Sequence, residues 1–265
     1  MTLFPSACVW AENGPIDSTL TRVKQTAFHY IDVEPTTLDA PGALQKQKDL
    51  GLQVSCVALD HNAPAGCSWD ARSDGSLRKM VEHLKATLAK SQTLGAKVGY
   101  VGPGKDKKQL KAFRQAVGEL AEAAAQQQIK LCLEHAPGSA LSTGKETLAF
   151  VNEVGHPNFY LLLDTGHTLI SNERAWELAE SAGNRLGYVQ MNDNDGKKDL
   201  HWALLDGRLT ADDLIRTLAA LHKIGYGGTL GLELKPKLRT TLISDFSRNH
   251  NLLLRLQLEI ERQAK

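Results

Sequence analysis

The chain has 265 residues, with 31 Lys and Arg against 30 Asp and Glu, and 42% hydrophobic and 23% charged residues. That mixture suits one large soluble domain whose core needs neither disulfides nor a structural metal. A balance of charge this close to zero argues against nucleic-acid binding driven by bulk electrostatics, and no apolar run approaches the roughly 18 residues of a membrane span.

Cys8, Cys56, Cys67 and Cys132 form no CxxC pair, so reduced thiols in a cytoplasmic protein are expected. The first residues, MTLFPSACVWAEN, lack the positive start and long apolar stretch of a secretory signal. From there, short apolar runs alternate with amphipathic stretches. Ser6–Trp10, His29–Val33, Gln53–Leu59, Lys97–Val101, Lys130–Leu133, Tyr160–Leu163, Gly187–Met191 and Thr229–Leu232 have the length and composition of buried parallel strands. Between the third and fourth, Leu77, Met80, Val81, Leu84, Leu88 and Leu94 recur at helical spacing, with Ser76 as expected N-cap and Gly95 as stop. Leu110, Phe113, Val117, Leu120, Ala121 and Ala124 repeat the period after the fourth strand. Thr210 with Asp213 reads as a capping box before Leu214, Leu218 and Leu221, with Gly225 as its end. The stretch from Thr241 to Arg262 is long enough for a closing helix. Eight strand–helix units predict an α/β fold, a single-domain (β/α)8 TIM barrel over residues 1–265. No glycine-rich phosphate loop follows the first strand, which weighs against an open dinucleotide-binding sheet.

Such barrels place their chemistry at the carboxyl ends of the strands. Four strands of the second half end in polar residues. Leu131-Cys132-Leu133 meets Glu134-His135, and Leu161-Leu162-Leu163 meets Asp164-Thr165-Gly166-His167. The last two read Tyr188-Val189-Gln190-Met191-Asn192-Asp193 and Gly231-Leu232-Glu233-Leu234-Lys235. Taken singly, Asp164 could be a helix cap and Glu233 a partner for Lys235. Taken together, two glutamates and an aspartate brought to one pocket repel one another, and a divalent cation removes that repulsion. Oxygen-rich ligation suits Mn, Mg or Co, with Zn also possible.

The phrases LCLEH, LLLDTGH, YVQMNDNDG, DLHWALLDGRL and YGGTLGLELKP resemble the xylose-isomerase-like barrel superfamily across nearly the whole chain. That superfamily includes sugar-phosphate isomerases, ketose 3-epimerases, inosose and dehydroshikimate dehydratases, hydroxypyruvate isomerases and endonuclease IV. The resemblance implies one divalent metal held by Glu134, Asp164, Gln190 and Glu233. Position 190 is a histidine in much of the superfamily, in a phrase resembling VHxxD. An amide oxygen there makes the site all-oxygen and shifts the expected metal towards Mn or Mg. His167 matches the DxxH whose histidine contacts substrate. His201, in Asp199-Leu200-His201, lies in a loop that approaches the substrate in the isomerases. His61, after the third strand, and Lys235, after the eighth, are further candidate substrate contacts, and Trp10 and Glu12 are candidate pocket walls. Strand four ends Tyr100-Val101-Gly102-Pro103-Gly104, without the histidine that endonuclease IV supplies, which argues against DNA repair.

The implied activity is a metal-dependent isomerase or epimerase that passes a keto sugar or related polyol through a metal-stabilised enediolate, with Glu134 and Glu233 as the catalytic acid and base. A dehydratase of the dehydroshikimate or inosose type shares the first step. A non-catalytic sugar-binding barrel is the third reading, and Gln190 is the feature in its favour. The expected partner is a small, unphosphorylated sugar or cyclic polyol, with no nucleic acid and no membrane. A homo-oligomer is expected from the superfamily alone.

Overall fold

The apolar runs become eight strands: β1 Pro5–Cys8, β2 Tyr30–Val33, β3 Gln53–Ala58, β4 Val98–Val101, β5 Lys130–Glu134, β6 Phe159–Asp164, β7 Leu186–Met191 and β8 Leu230–Leu232. In the computed structural model, which describes residues 3–12, 14–70, 74–237 and 240–263, they pair in sequence order, all parallel, and β8 returns to β1 to close a barrel. Around it run α1 Ile16–Gln25, α2 Ala43–Asp49, α3 Asp74–Thr93, α4 Leu110–Gln126, α5 Gly144–Val154, α6 Thr165–Ile170, α7 Ala175–Ala182, α8 Ala211–Lys223 and α9 Leu242–Gln263.

The ends of these elements follow local chemistry. Thr210 Oγ accepts from the Asp213 N–H at 3.1 Å, and the Asp213 carboxylate accepts from the Thr210 N–H at 3.0 Å, which is the expected capping box of α8. Gly225 beyond α8 and Gly95 beyond α3 adopt φ of +70° and +80°, where a Cβ would be strained. Two expectations need correction. α3 begins at Asp74, so Ser76 lies inside its first turn and is not the N-cap. Val9 and Trp10 leave β1 and enter a 3-10 turn spanning Val9–Ala11, which turns the Trp10 side chain over the barrel mouth.

Alternation along each strand divides the apolar residues between two cores. One set, including Ile31, Val57, Val101, Leu133, Leu163, Val189 and Leu232, packs outward against the helices. The other, Cys56, Ala58, Val98, Tyr100, Cys132, Leu162 and Tyr188, fills the barrel interior. The interior is tight. A Cβ on Gly231 would sit 2.6 Å from Asp32 Oδ2 and 3.1 Å from the Tyr188 ring, so only glycine fits there. The three apolar thiols Cys8, Cys56 and Cys132 are buried in this interior, and burial pushes each well above the usual thiol range, which keeps them unreactive.

Candidate active site

The interior alternation also builds the site. Two residues beyond Cys132 on β5 stands Glu134; beyond Leu162 on β6, Asp164; beyond Tyr188 on β7, Gln190; beyond Gly231 on β8, Glu233. All four therefore face inward, one layer above the apolar filling, at the carboxyl ends of consecutive strands. The register Glu134 to Leu162, Asp164 to Gln190 and Gln190 to Gly231 sets their stagger.

Asp164 is fully buried and held from two sides. Its Oδ1 accepts the His167 N–H at 2.8 Å, capping α6, and its Oδ2 accepts Asn192 Nδ2 at 2.8 Å. It is thus a helix cap and a site residue at once. The Asn192 amide reaches it only because residue 166 is glycine: a Cβ there would overlap the Asn192 side-chain oxygen. Glu134, in contrast, accepts no hydrogen bond among the described residues, and its nearest cationic partner is His167 Nδ1, 3.6 Å from Oε1. Gln190 is fully buried with neither Oε1 nor Nε2 hydrogen-bonded. The Tyr100 hydroxyl interacts weakly with this amide without reaching hydrogen-bond geometry. Glu233 is buried and accepts one bond, from Trp10 Nε1 to Oε1 at 3.1 Å.

The predicted substrate contacts fall into different settings. His167 is buried, with Nδ1 2.6 Å from the His135 carbonyl and Nε2 3.3 Å from Asp199 Oδ2. A carbonyl and a carboxylate only accept, so both ring nitrogens carry protons and neither offers a lone pair to a metal. His201 is also buried, and its Nε2 donates to the same Asp199 oxygen at 2.9 Å, while Nδ1 lies 3.7 Å from Glu233 Oε1. Its backbone takes φ +50°, unusual for a histidine, and is held there by the Lys235 N–H on its carbonyl at 2.6 Å and by a two-bond bridge between Asp193 and Trp202. Asp193 braces this loop by accepting the N–H groups of Asn194, Gly207 and Leu209. His61 is half-buried, lies edge-on to both Trp10 and Tyr100, and sits 3.5 Å from Glu34. The Lys235 side chain is exposed, and Glu12 pairs with Arg22 at 2.7 Å.

Burial pushes Glu134 well above the usual carboxylate range; His167 opposes this, and Asp164 and Glu233 add to it. Burial raises Glu233 too, against His201 and with Asp164. Burial alone would lower His167, but the charges of Asp164, Asp199 and Glu134 overcome it and lift the imidazole to about 11. Burial opposes the ionisation of Asp199, yet its bonds to the two histidines hold it well below the usual range. The layer is thus a set of mutually repelling carboxylates beside an amide with no hydrogen-bond partner among the described residues. Oxygen atoms of Glu134 and Asp164 come within 4.8 Å of each other and of His167. Of the four residues that the resemblance implies, Glu134 and Asp164 bring ligand oxygens together and Gln190 offers an unpartnered amide oxygen on the strand next to Asp164, a donor set that fits a hard divalent cation, while Glu233 lies outside that close cluster.

The sequence assigns no role to Asp199, Asn192 or Tyr100. The first was visible only as part of a DxH phrase. The other two carry a signal in alternation: Asn192 is two residues beyond Gln190, and Tyr100 two beyond the inward-facing Val98.

Residues 21–249 match the xylose isomerase-like TIM barrel family. The chain belongs to that family. Among curated relatives, an L-ribulose 3-epimerase of Methylomonas sp. strain DH-1 is 33% identical over 186 residues, which is 65% of this chain and 61% of the relative. This chain therefore spans less than two thirds of that relative's length. An L-ribulose 3-epimerase of Mesorhizobium japonicum is 25% identical over 232 residues, covering 78% of this chain and 77% of the other. A solved structure of L-ribulose 3-epimerase superposes with a TM-score of 0.82 at 21% identity, over 100% of this chain and 97% of that one, a likeness of fold.

Proposed function

We propose that this family member is a divalent-metal-dependent 3-epimerase of an unphosphorylated keto sugar. The observation that carries the reading is the pair of inward-facing, proton-avid glutamates, Glu134 on β5 and Glu233 beyond β8, with Asp164 and Gln190 on the strands between them. β5 and β8 lie three strands apart in the ring, so their side chains approach the pocket from different sides. The 3-epimerase relatives agree with this chemistry.

Glu134, Asp164, Gln190 and Glu233 would hold the metal, which would supply Lewis-acid polarisation of the ketose carbonyl and an adjacent hydroxyl. One glutamate carboxylate takes the proton from C3, and the electron pair of that C–H bond moves into an enediolate over C2 and C3. The other glutamate, protonated at the outset, gives its proton to the opposite face of C3. The product is the C3 epimer, with no net change in atoms or charge. The two glutamates have then exchanged protonation states, as suits a reversible reaction. Both ring nitrogens of His167 are committed to the His135 carbonyl and Asp199, so His201, whose Nδ1 has no hydrogen-bond partner among the described residues, is the histidine left to meet a substrate oxygen at the rim. Trp10, His61 and Tyr100 wall the other side with aromatic edges that exclude water from the enediolate.

The test is nuclear magnetic resonance of L-ribulose or D-psicose with the Mn-loaded protein in deuterium oxide. Appearance of the C3 epimer with deuterium at C3 is expected. A new enone absorbance in place of the epimer would mean that the enolate expels a hydroxyl, and neither product with any divalent metal would overturn the reading.

A further inference from the structure

Glu233 is the one glutamate of the site whose carboxylate is tied by a hydrogen bond. It stands one residue beyond β8, where the ladder has ended, so side-chain contacts must fix it. Among the described residues one donor reaches it: the indole N–H of Trp10, 3.1 Å from Oε1. His201 Nδ1 approaches the same oxygen, at 3.7 Å, outside hydrogen-bond range. The indole is itself wedged. It leaves β1, the neighbour of β8 in the ring, on a 3-10 turn, and its ring meets His61 edge-on at 5.8 Å, while His61 meets Tyr100 edge-on at 5.9 Å. Three strand ends, β1, β3 and β4, thus brace one N–H against one carboxylate oxygen.

The chemical identity of the donor matters. A guanidinium at this place would engage both oxygens and pin the glutamate as a charged pair. An indole has a single donor and no charge, so it fixes the plane of the carboxylate and occupies one oxygen alone. We propose that Trp10 is a positioning residue: it ties Oε1 of Glu233 and so presents Oε2 as the atom that exchanges the proton with substrate C3. This role rests on the proposed proton transfer.

Trp10→Phe keeps an aromatic edge against His61 and deletes the N–H. Its kcat for epimerisation is expected to fall about ten- to a hundredfold, as for loss of a hydrogen bond to a charged group, with KM within about threefold of the parent. Metal uptake, measured by calorimetry with Mn alone, is expected to persist. Independently of turnover, the Trp10 indole proton should exchange slowly with solvent in the parent and fast in Glu233→Ala, read from its assigned nuclear magnetic resonance signal. An active parent matched in kcat by Trp10→Phe overturns the role alone. So does an indole proton whose exchange is unchanged in Glu233→Ala, which decides the matter even if Trp10→Phe does not fold. A parent that epimerises no ketose overturns the proposed function, and the role with it.

Discussion

The two halves of the barrel differ in how they hold their inward-facing acids. In the first half Asp32, fully buried on β2, accepts hydrogen bonds from Ser6 Oγ at 2.6 Å, from the Tyr188 hydroxyl at 2.7 Å, from Ser55 Oγ and, at 3.5 Å, from the Cys8 thiol. Asp60, just beyond β3, accepts the Trp69 indole and the Gly102 N–H, both at 3.0 Å. In the second half Asp164 and Asp193 are held by hydrogen bonds as well, but among the described residues Glu134 accepts nothing, Glu233 accepts one indole, and the Gln190 amide has no partner. A satisfied buried acid locks strands together, while an unsatisfied one raises the energy of the folded chain and persists where something else is to be bound. The contrast separates the acids that hold the fold from those available for chemistry.

The largest consequence concerns turnover. Glu134→Gln and Glu233→Gln should each lower kcat by about a thousandfold or more, while thermal unfolding of the metal-free protein stays at or above the parent value. A variant that keeps parental kcat would remove that glutamate from the proton transfer. Asp32→Asn should do the reverse. Its amide N–H group would face the hydroxyl donors, and urea unfolding should show a loss of about 3 kcal/mol with Mn affinity unchanged. A loss of Mn affinity with stability intact would place Asp32 in the site and erase the division between the halves.

His135 tests the same idea through pH. It is fully buried with both ring nitrogens unpartnered, and burial, with the charge of His167, depresses it to about 3 from an ordinary 6.5. Between those values the unfolded chain binds a proton that the folded chain does not. Its contribution to stability is therefore complete above pH 6.5 and is lost as the pH falls towards 3. The loss is about 2 kcal/mol between pH 6.5 and pH 5. In urea melts across that range, His135→Gln should show a shallower decline than the parent by that amount. Parallel declines would mean that the imidazole is protonated in the fold.

Much of this division was legible in the sequence. The eight strands appear within one or two residues of their expected limits, because a buried parallel strand leaves an apolar run that period alone reveals. Glu134, Asp164 and Glu233 are legible because each ends such a run at its carboxyl side, whereas Gln190 lies inside its run and is singled out by the family resemblance alone. What the sequence hid depends on geometry across strands. Asp32 sits inside an apolar run, and its partners come from β1, β3 and β7, so nothing local marks it as structural. The indole of Trp10 meets Glu233 across 223 positions in sequence. Ser76 is a good N-cap type, yet α3 begins before it, at Asp74, so residue type alone does not mark the helix start. Position alone could not tell that both nitrogens of His167 are committed, since one partner is a backbone carbonyl.

The smallest expected effect is also the most direct probe of the contrast. Gln190 is fully buried and has no hydrogen bond at either side-chain atom, a state that penalises the metal-free fold. Gln190→Leu replaces the amide with an apolar group of similar reach beside Tyr100 and Tyr188. The metal-free variant should be more stable than the parent by about 1 kcal/mol, measured by urea unfolding in the presence of a chelator. The same variant should bind Mn at least about tenfold more weakly, because an oxygen donor has gone. Stability gained and affinity lost by one substitution is the signature of a residue kept for its ligand. If Gln190→Leu instead destabilised the metal-free protein and left Mn binding intact, the amide would belong with Asp32 among the structural groups.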